Sequence, residues 1–101
     1  MNNIKGGFKM VRYYVTFEIY GERSCLQNLE EFCKERGVRF EYCERFDRDS
    51  YKDYKESAKK ELGLTDVFKA YLSFKDIPNY ESILRELNER EDIDIWIKID
   101  M

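Results

Sequence analysis

Four segments of this sequence alternate apolar with polar side chains, which is the two-residue period of a half-buried β-strand. We predict strands over residues 11–20, 38–46, 67–75 and 93–99, and we expect Gly21 to end the first of them. Each strand therefore has an apolar side and a polar side. A sheet built from such strands buries one face against other elements, and this requirement constrains the fold more than any other feature of the chain.

The segments between the strands carry apolar residues at helical spacing. We predict a first helix from Ser24 to its end at Gly37, an inserted helix over 50–62 ended by Gly63, and a third begun by Asn79. Gln27 stands three residues after Ser24, which predicts a capping box at the start of the first helix. Both glycines are expected to adopt the left-handed conformation that ends many helices.

The resulting element order is β-α-β-(α)-β-α-β. With right-handed crossovers, two βαβ units form a ferredoxin-like α+β fold, βαββαβ, with strand order 4-1-3-2. This fold has a four-stranded antiparallel sheet and two helices on one face, and the helix over 50–62 is an extra element between strands 2 and 3. We expect a single domain over residues 11–101 after a flexible tail over 1–10, with Met10 as the natural start.

Residue counts exclude several classes of function. The 101-residue chain contains no histidine, which removes Ser–His and Cys–His nucleophile pairs and histidine-ligated metals. Its three cysteines form no C-x-x-C pair, which disfavours zinc, iron–sulfur and dithiol redox sites. Carboxylates, lysines, tyrosines and cysteines remain as possible catalysts, but no motif arranges them. We therefore expect a non-catalytic protein without metal or cofactor.

Cysteine usage and hydropathy also bear on location. An odd number of cysteines without paired spacing is typical of free thiols in a reducing compartment. No run approaches 18 apolar residues and no signal-peptide core precedes the first strand, so we expect a cytoplasmic protein without a membrane partner. The net charge of −3 argues against a strongly basic nucleic-acid binder, but it leaves room for a local basic patch.

The polar side of the strands is the candidate functional surface. If the helices cover one face, Tyr14, Tyr71 and Trp96 emerge together on the other and form an aromatic row. The predicted interaction residues are Tyr14, Tyr20, Arg39, Arg45, Lys69, Tyr71, Trp96 and Lys98. Because Trp, Tyr and Arg are enriched at protein interfaces, we expect a small protein-interaction module that binds a second copy or another protein. The last strand, at a sheet edge, is a candidate for pairing with a second copy.

The alternative function is binding of single-stranded RNA by the same face. The segment Ala70-Tyr71-Leu72-Ser73-Phe74 resembles the end of the RNA-recognition motif, G/A-F-V-x-F/Y. The resemblance implies that exposed rings stack on bases while neighbouring cations hold phosphates. Directly before this segment the sequence departs from the motif, with Phe68 and Lys69 where glycine and an aromatic residue are expected.

The source of a partner is a further open question. The abundance of Lys, Glu, Ile, Tyr and Asn is compatible with an AT-rich genome. Short proteins without motifs occur often in viruses and mobile elements, so inhibition of a host protein is also compatible with this sequence.

Overall fold

A computed structural model describes residues 14–98 of the chain. The predicted tail over 1–10 and the outer ends of the first and last predicted strands lie outside these residues. The strands are β1 (Tyr14–Glu22), β2 (Arg39–Tyr42), β3 (Val67–Lys75) and β4 (Ile95–Lys98). The helices are α1 (Leu26–Arg36), α2 (Lys52–Leu62) and α3 (Tyr80–Glu89). Short 3-10 turns occupy Arg23–Cys25, Glu44–Asp47 and Asp49–Tyr51.

The strands form one open antiparallel sheet, so the protein is α+β. The strand order is β2-β3-β1-β4, which reads β4-β1-β3-β2 from the other edge. The central strands β1 and β3 have nine residues each and pair along their whole length, from Tyr14 with Lys75 to Glu22 with Val67. Within the described residues, the edge strands β2 and β4 have four residues each.

The first face of the sheet holds the main hydrophobic core. Here α1 and α3 pack against the apolar side of the strands. The helices contribute Leu29, Phe32, Cys33, Ile83 and Leu87, and the sheet contributes Ile19, Phe68, Ala70, Leu72 and Phe74. All of these sheet residues have relative exposures of 1% or less, so the predicted alternation identifies the side chains that are removed from water.

The second face is partly covered by the segment over residues 43–64, which we call the insertion and which contains α2. A second core cluster joins Phe46 of the insertion to Tyr20 and Val67 of the sheet, with Ala58 and Leu62 of α2 beside it. The expectation that this face is free of helices is therefore wrong over part of its area. The physical reason is that α2 has an apolar stripe of its own and packs it, partly buried, on the sheet face that α1 and α3 leave uncovered.

Two sets of contacts hold the insertion in place. The Phe46 ring is 2% exposed and lies 5.9 Å from the Tyr20 ring, in an edge-to-face arrangement. At the border of the sheet, the guanidinium of Arg23 donates to Asp47 at 2.6 Å and to the Tyr42 hydroxyl at 2.6 Å. An aromatic anchor and a charged clasp thus fix the start of the insertion, where the sequence predicts a continued strand up to residue 46.

The helix ends agree with the sequence at their C-termini and differ at their N-termini. Gly37 and Gly63 adopt left-handed conformations with φ of 70° and 69°, as predicted. The predicted capping box is wrong, because Ser24 lies in a 3-10 turn and α1 begins only at Leu26, with Cys25 as its N-cap. Asn79 is the N-cap of α3, but among residues 14–98 its side chain makes no capping hydrogen bond.

Gly21 lies inside β1, whereas the sequence suggests that it ends the strand. An added Cβ atom would stand 2.7 Å from Cγ2 of Ile95 and 2.9 Å from Cε2 of Phe68. Phe68 is fully buried, so its ring cannot retreat without moving the core. Close approach of neighbouring strands therefore explains the glycine at this position.

We expect Gly21→Ala to lower the free energy of unfolding by about 1–3 kcal/mol, because the added methyl group overpacks the core. Urea denaturation monitored by circular dichroism measures this change. Lys75→Ala, at an exposed position at the end of β3, is the matched control and should change stability by less than about 0.5 kcal/mol. A Gly21→Ala protein as stable as the parent would contradict the packing described.

Candidate functional site

The second face of the sheet presents the polar side of each strand in cross-strand rows. The rows are Trp96–Tyr20–Lys69, Lys98–Glu18–Tyr71–Glu41, Thr16–Ser73–Arg39 and Tyr14–Lys75. Tyr14, Tyr71 and Trp96 share this face but stand in three different rows, so the predicted aromatic row is wrong. The ring beside Trp96 is that of Tyr20, with centroids 5.8 Å apart. Arg45 lies in the 3-10 turn after β2, away from the rows, because β2 ends at Tyr42.

Tyr20 is almost fully buried beneath the insertion, and only its edge lines the groove between α2 and Trp96. It is 3% exposed, and its hydroxyl donates to Oε2 of Glu18 at 2.6 Å and shares a hydrogen bond of 2.6 Å with the Tyr54 hydroxyl. Burial, together with these hydrogen bonds, raises the pKa of Tyr20 far above its ordinary value. Its main role is to connect the sheet with α2, and little of its side chain is left for contact with a partner.

The carboxylate of Glu18 forms ion pairs with two of the predicted interaction residues, Lys69 and Lys98. The ammonium group of Lys69 lies 3.4 Å from one carboxylate oxygen of Glu18, and that of Lys98 lies 3.6 Å from the other. Burial acts to raise the pKa of Glu18, but the Tyr20 hydrogen bond and the two ammonium groups outweigh it and hold that pKa below its ordinary value. These charges are therefore largely satisfied within the chain.

Lys69 is also surrounded by aromatic rings. Its ammonium nitrogen lies 5.5 Å from the centroid of Tyr71, 5.8 Å from that of Tyr54 and 5.9 Å from that of Tyr20. Burial acts to lower the pKa of Lys69, but the charge of Glu18 and hydrogen bonding to Tyr71 outweigh it and raise that pKa. Cation–π contacts and an ion pair thus keep this lysine charged and in place.

The uncovered part of the second face, away from the insertion, is polar. Tyr14 is 60% exposed, and Arg39, Glu41 and Lys75 are exposed as well. Ser73 is nearly buried and shares a hydrogen bond of 3.0 Å with Thr16. Tyr14 is the one large exposed hydrophobic side chain among the residues described in this part of the face.

Two exposed aromatic side chains lie at the opposite end of the second face, beside β4. Trp96, the single tryptophan of the chain, is 45% exposed, and Tyr54 of α2 is 47% exposed. A groove of about 200 Å³ runs between them and is lined in part by Ala58, Leu62 and Lys98. The sequence analysis did not predict the α2 side of this groove, although the helical spacing of Tyr54, Ala58 and Leu62 indicates an apolar side of that helix.

β4 borders this groove and is an edge of the sheet. The Glu22 N–H donates to the Asp94 carbonyl at 3.1 Å, so the Asp94 carbonyl faces β1, and the Asp94 N–H donates to Sγ of Cys25 at 3.2 Å. Orientation alternates along an antiparallel strand, so Trp96 and Lys98 also face β1, whereas the N–H and C=O groups of Ile95 and Ile97 point to the open edge. Trp96 thus lies at an edge that can accept another strand.

A wider groove of about 480 Å³ lies between α1 and β2. Charged side chains of Glu30, Glu31 and Lys34 line much of it, and Cys33 lies at its base. Burial raises the pKa of the Cys33 thiol to about 12, so this thiol remains protonated near neutral pH. The groove therefore offers no activated nucleophile, and its charged rim makes it a weaker candidate for apolar contacts.

Residues 14–98 form neither a metal site nor a membrane-spanning helix. These residues bring together no group of three or more side chains suited to hold a metal ion. They also contain no helix with the length and apolarity needed to cross a membrane. Comparison with protein-family models, curated proteins and solved structures found no match to this chain.

We expect Tyr20→Phe to lower the free energy of unfolding by about 1–2 kcal/mol at neutral pH, because Glu18 and Tyr54 lose a shared hydrogen-bond partner. Because the pKa of Tyr20 is raised, the free energy of unfolding should also depend on pH in the alkaline range. The folded state keeps this proton above pH ~10, where the unfolded state loses it, so parent stability falls as the pH rises above that value.

Urea denaturation across the alkaline range measures this fall in stability. Tyr20→Phe should lack the part of the fall that comes from ionisation of Tyr20. The stability gap between the two proteins should therefore narrow above pH ~10. Tyr14→Phe, at the most exposed tyrosine, is the control and should follow the parent curve. A constant gap between parent and Tyr20→Phe would show that Tyr20 ionises normally.

Proposed function

We propose that this protein is a non-catalytic protein-interaction module that forms a homodimer through the second face of its sheet, at the part next to β4. One observation carries the proposal: the single Trp96 is 45% exposed, at an open strand edge and beside an apolar groove. Trp and Tyr anchors that enter apolar grooves dominate the energy of protein interfaces.

The polar groups of the second face support a structural role more than a catalytic one. Glu18, Tyr20 and Lys69 satisfy one another, so their hydrogen-bonding capacity is directed into the protein. A general base or nucleophile needs a reactive group that a substrate can reach. The groove beside Trp96 instead combines rings and methyl groups with the polar side chains of Ser57, Glu61 and Lys98, and this mixture suits a protein side chain.

We further propose that the fold is a ferredoxin-like βαββαβ fold with the insertion between β2 and β3. The strand order read from β4, the antiparallel pairing of all neighbours and the packing of α1 and α3 on one face support this assignment. The insertion adds a helix to the face that such a sheet otherwise leaves uncovered.

RNA binding by the second face is less well supported by the geometry. Lys69 and Lys98 are engaged by Glu18, and Tyr20 is buried. On this face, Arg39 and Lys75 form no ion pair with another residue of 14–98. Both lie near Tyr14. Single-stranded RNA would therefore have to bind at the end of the face that lies far from Trp96, and it becomes a competing outcome of the test below.

We expect sedimentation equilibrium over a concentration series to show a dimer that dissociates on dilution. Trp96→Ala should raise the dimer dissociation constant by about 30-fold or more, as expected for loss of an anchor worth about 2 kcal/mol. Tyr14→Ala is the matched control, because this ring is also exposed on the second face but lies roughly 20 Å from the Trp96 row along β1.

A protein that is monomeric at every concentration would contradict the proposal. A monomer that also binds labelled single-stranded RNA, with an affinity that falls steeply with salt and with Tyr14→Ala, would establish the RNA alternative instead.

A further inference from the structure

We propose that two copies of the chain join by antiparallel pairing of their β4 strands about a two-fold axis at Trp96. The two four-stranded sheets would then form one sheet of eight strands. This inference rests on the homodimer proposed above and specifies its edge, its register and its central contact.

The backbone geometry of β4 supports this pairing. With the axis at Trp96, Ile95 of one copy stands opposite Ile97 of the other. These two residues direct their N–H and C=O groups away from β1, so each Ile95–Ile97 pair can exchange two N–H···O bonds across the axis. No backbone bond within the sheet has to break for the second copy to add its strand.

The sequence around the axis is self-complementary. In this register Asp94 of each copy stands opposite Lys98 of the other, so opposite charges meet at both ends of the paired strands. Moving the axis to Ile95 sets the Trp96 ring opposite Asp94, and moving it to Ile97 sets the ring opposite Lys98. The register centred on Trp96 is therefore favoured over both of its neighbours.

This arrangement would remove the exposed Trp96 rings from water. Residues at the axis form a non-hydrogen-bonded pair, whose Cα atoms approach to about 4.5 Å in antiparallel sheets. Both rings lie on the second face beside the grooves lined by Ala58 and Leu62. Pairing would bury these exposed rings against each other and the groove walls, which is the placement expected of an interface anchor.

β2 is the competing edge and is less suited to pairing. Its polar side carries Arg39 and Glu41, both exposed, and charged side chains on an edge strand oppose association with a second strand. The N–H before β2, that of Val38, already donates to the Cys33 carbonyl at 2.9 Å. β4 instead has the continuous apolar run Ile95-Trp96-Ile97.

The decisive experiment compares Ile97→Pro with Ile97→Ala by sedimentation equilibrium. Both variants lose the isoleucine side chain, but only proline removes the N–H that points to the open edge, and proline is tolerated on such edges. We expect Ile97→Ala to remain dimeric at concentrations where Ile97→Pro is monomeric. Circular dichroism and urea denaturation of both proteins show whether the monomer remains folded.

A charge exchange tests the register independently. Asp94→Lys places lysine opposite Lys98 at both ends of the pairing and should raise the dimer dissociation constant about tenfold. Adding Lys98→Glu to this variant restores opposite charges between the copies. It should recover part of the affinity, because the same change also replaces the Lys98–Glu18 ion pair within each copy by two carboxylates. Failure of the double variant to recover affinity, with both proteins folded, would overturn the register.

The outcomes separate this inference from the homodimer itself. A dimer that survives Ile97→Pro but dissociates with Trp96→Ala would overturn the β4 pairing and leave the homodimer standing. Dissociation by Phe40→Pro, which removes an outward N–H of β2, with no effect of Ile97→Pro would assign the contact to the competing edge. A wild-type protein that is always monomeric would overturn both proposals.

Discussion

The full-length pairing of β1 with β3 is the constraint on which both layers of this protein depend. Nine consecutive cross-strand pairs fix which side chains point to each face, from Tyr14 opposite Lys75 to Glu22 opposite Val67. A shift of one residue would exchange the two faces and expose the core. Because Gly21 admits Phe68 and Ile95 from the neighbouring strands, the same pairing also sets how closely β4 packs against the centre of the sheet.

The alternation of apolar and polar residues predicted that four strands form and which side of each faces the main core, but it did not predict where β1 and β2 end or where β4 begins. Val67–Lys75 forms a strand with the predicted bounds, and the first face is buried as expected. The insertion was not predictable in the same way, since local periodicity does not show which face of a sheet a helix will cover. Tyr20 stands at a position that the alternation predicts to be polar, and it is buried because Phe46, 26 residues later in the chain, packs on it together with Tyr54 and Trp96.

The candidate surface was predictable to a similar extent. Alternation places Trp96 and Lys98 on the second face, but the charge pairing of Lys98 with Glu18 depends on the register between two strands. The groove exists because α2 packs on the second face, and no local sequence pattern predicts that packing. Arg45 was misplaced because an alternating sequence can continue past the end of a strand, where the chain turns to bury Phe46. The face of a strand to which a side chain points follows from the local sequence, whereas a surface is formed by residues that are distant in the chain.

An apolar strand edge next to an exposed tryptophan is therefore the central feature of the proposed dimer. Hydrogen exchange of the Ile95 and Ile97 amides, measured above and below the concentration at which the protein dissociates, tests it most directly. Both amides point away from β1, so they should exchange rapidly in the dilute protein and become protected when a second strand accepts their hydrogen bonds. Equal exchange at all concentrations, in a protein that does form dimers, would contradict the account.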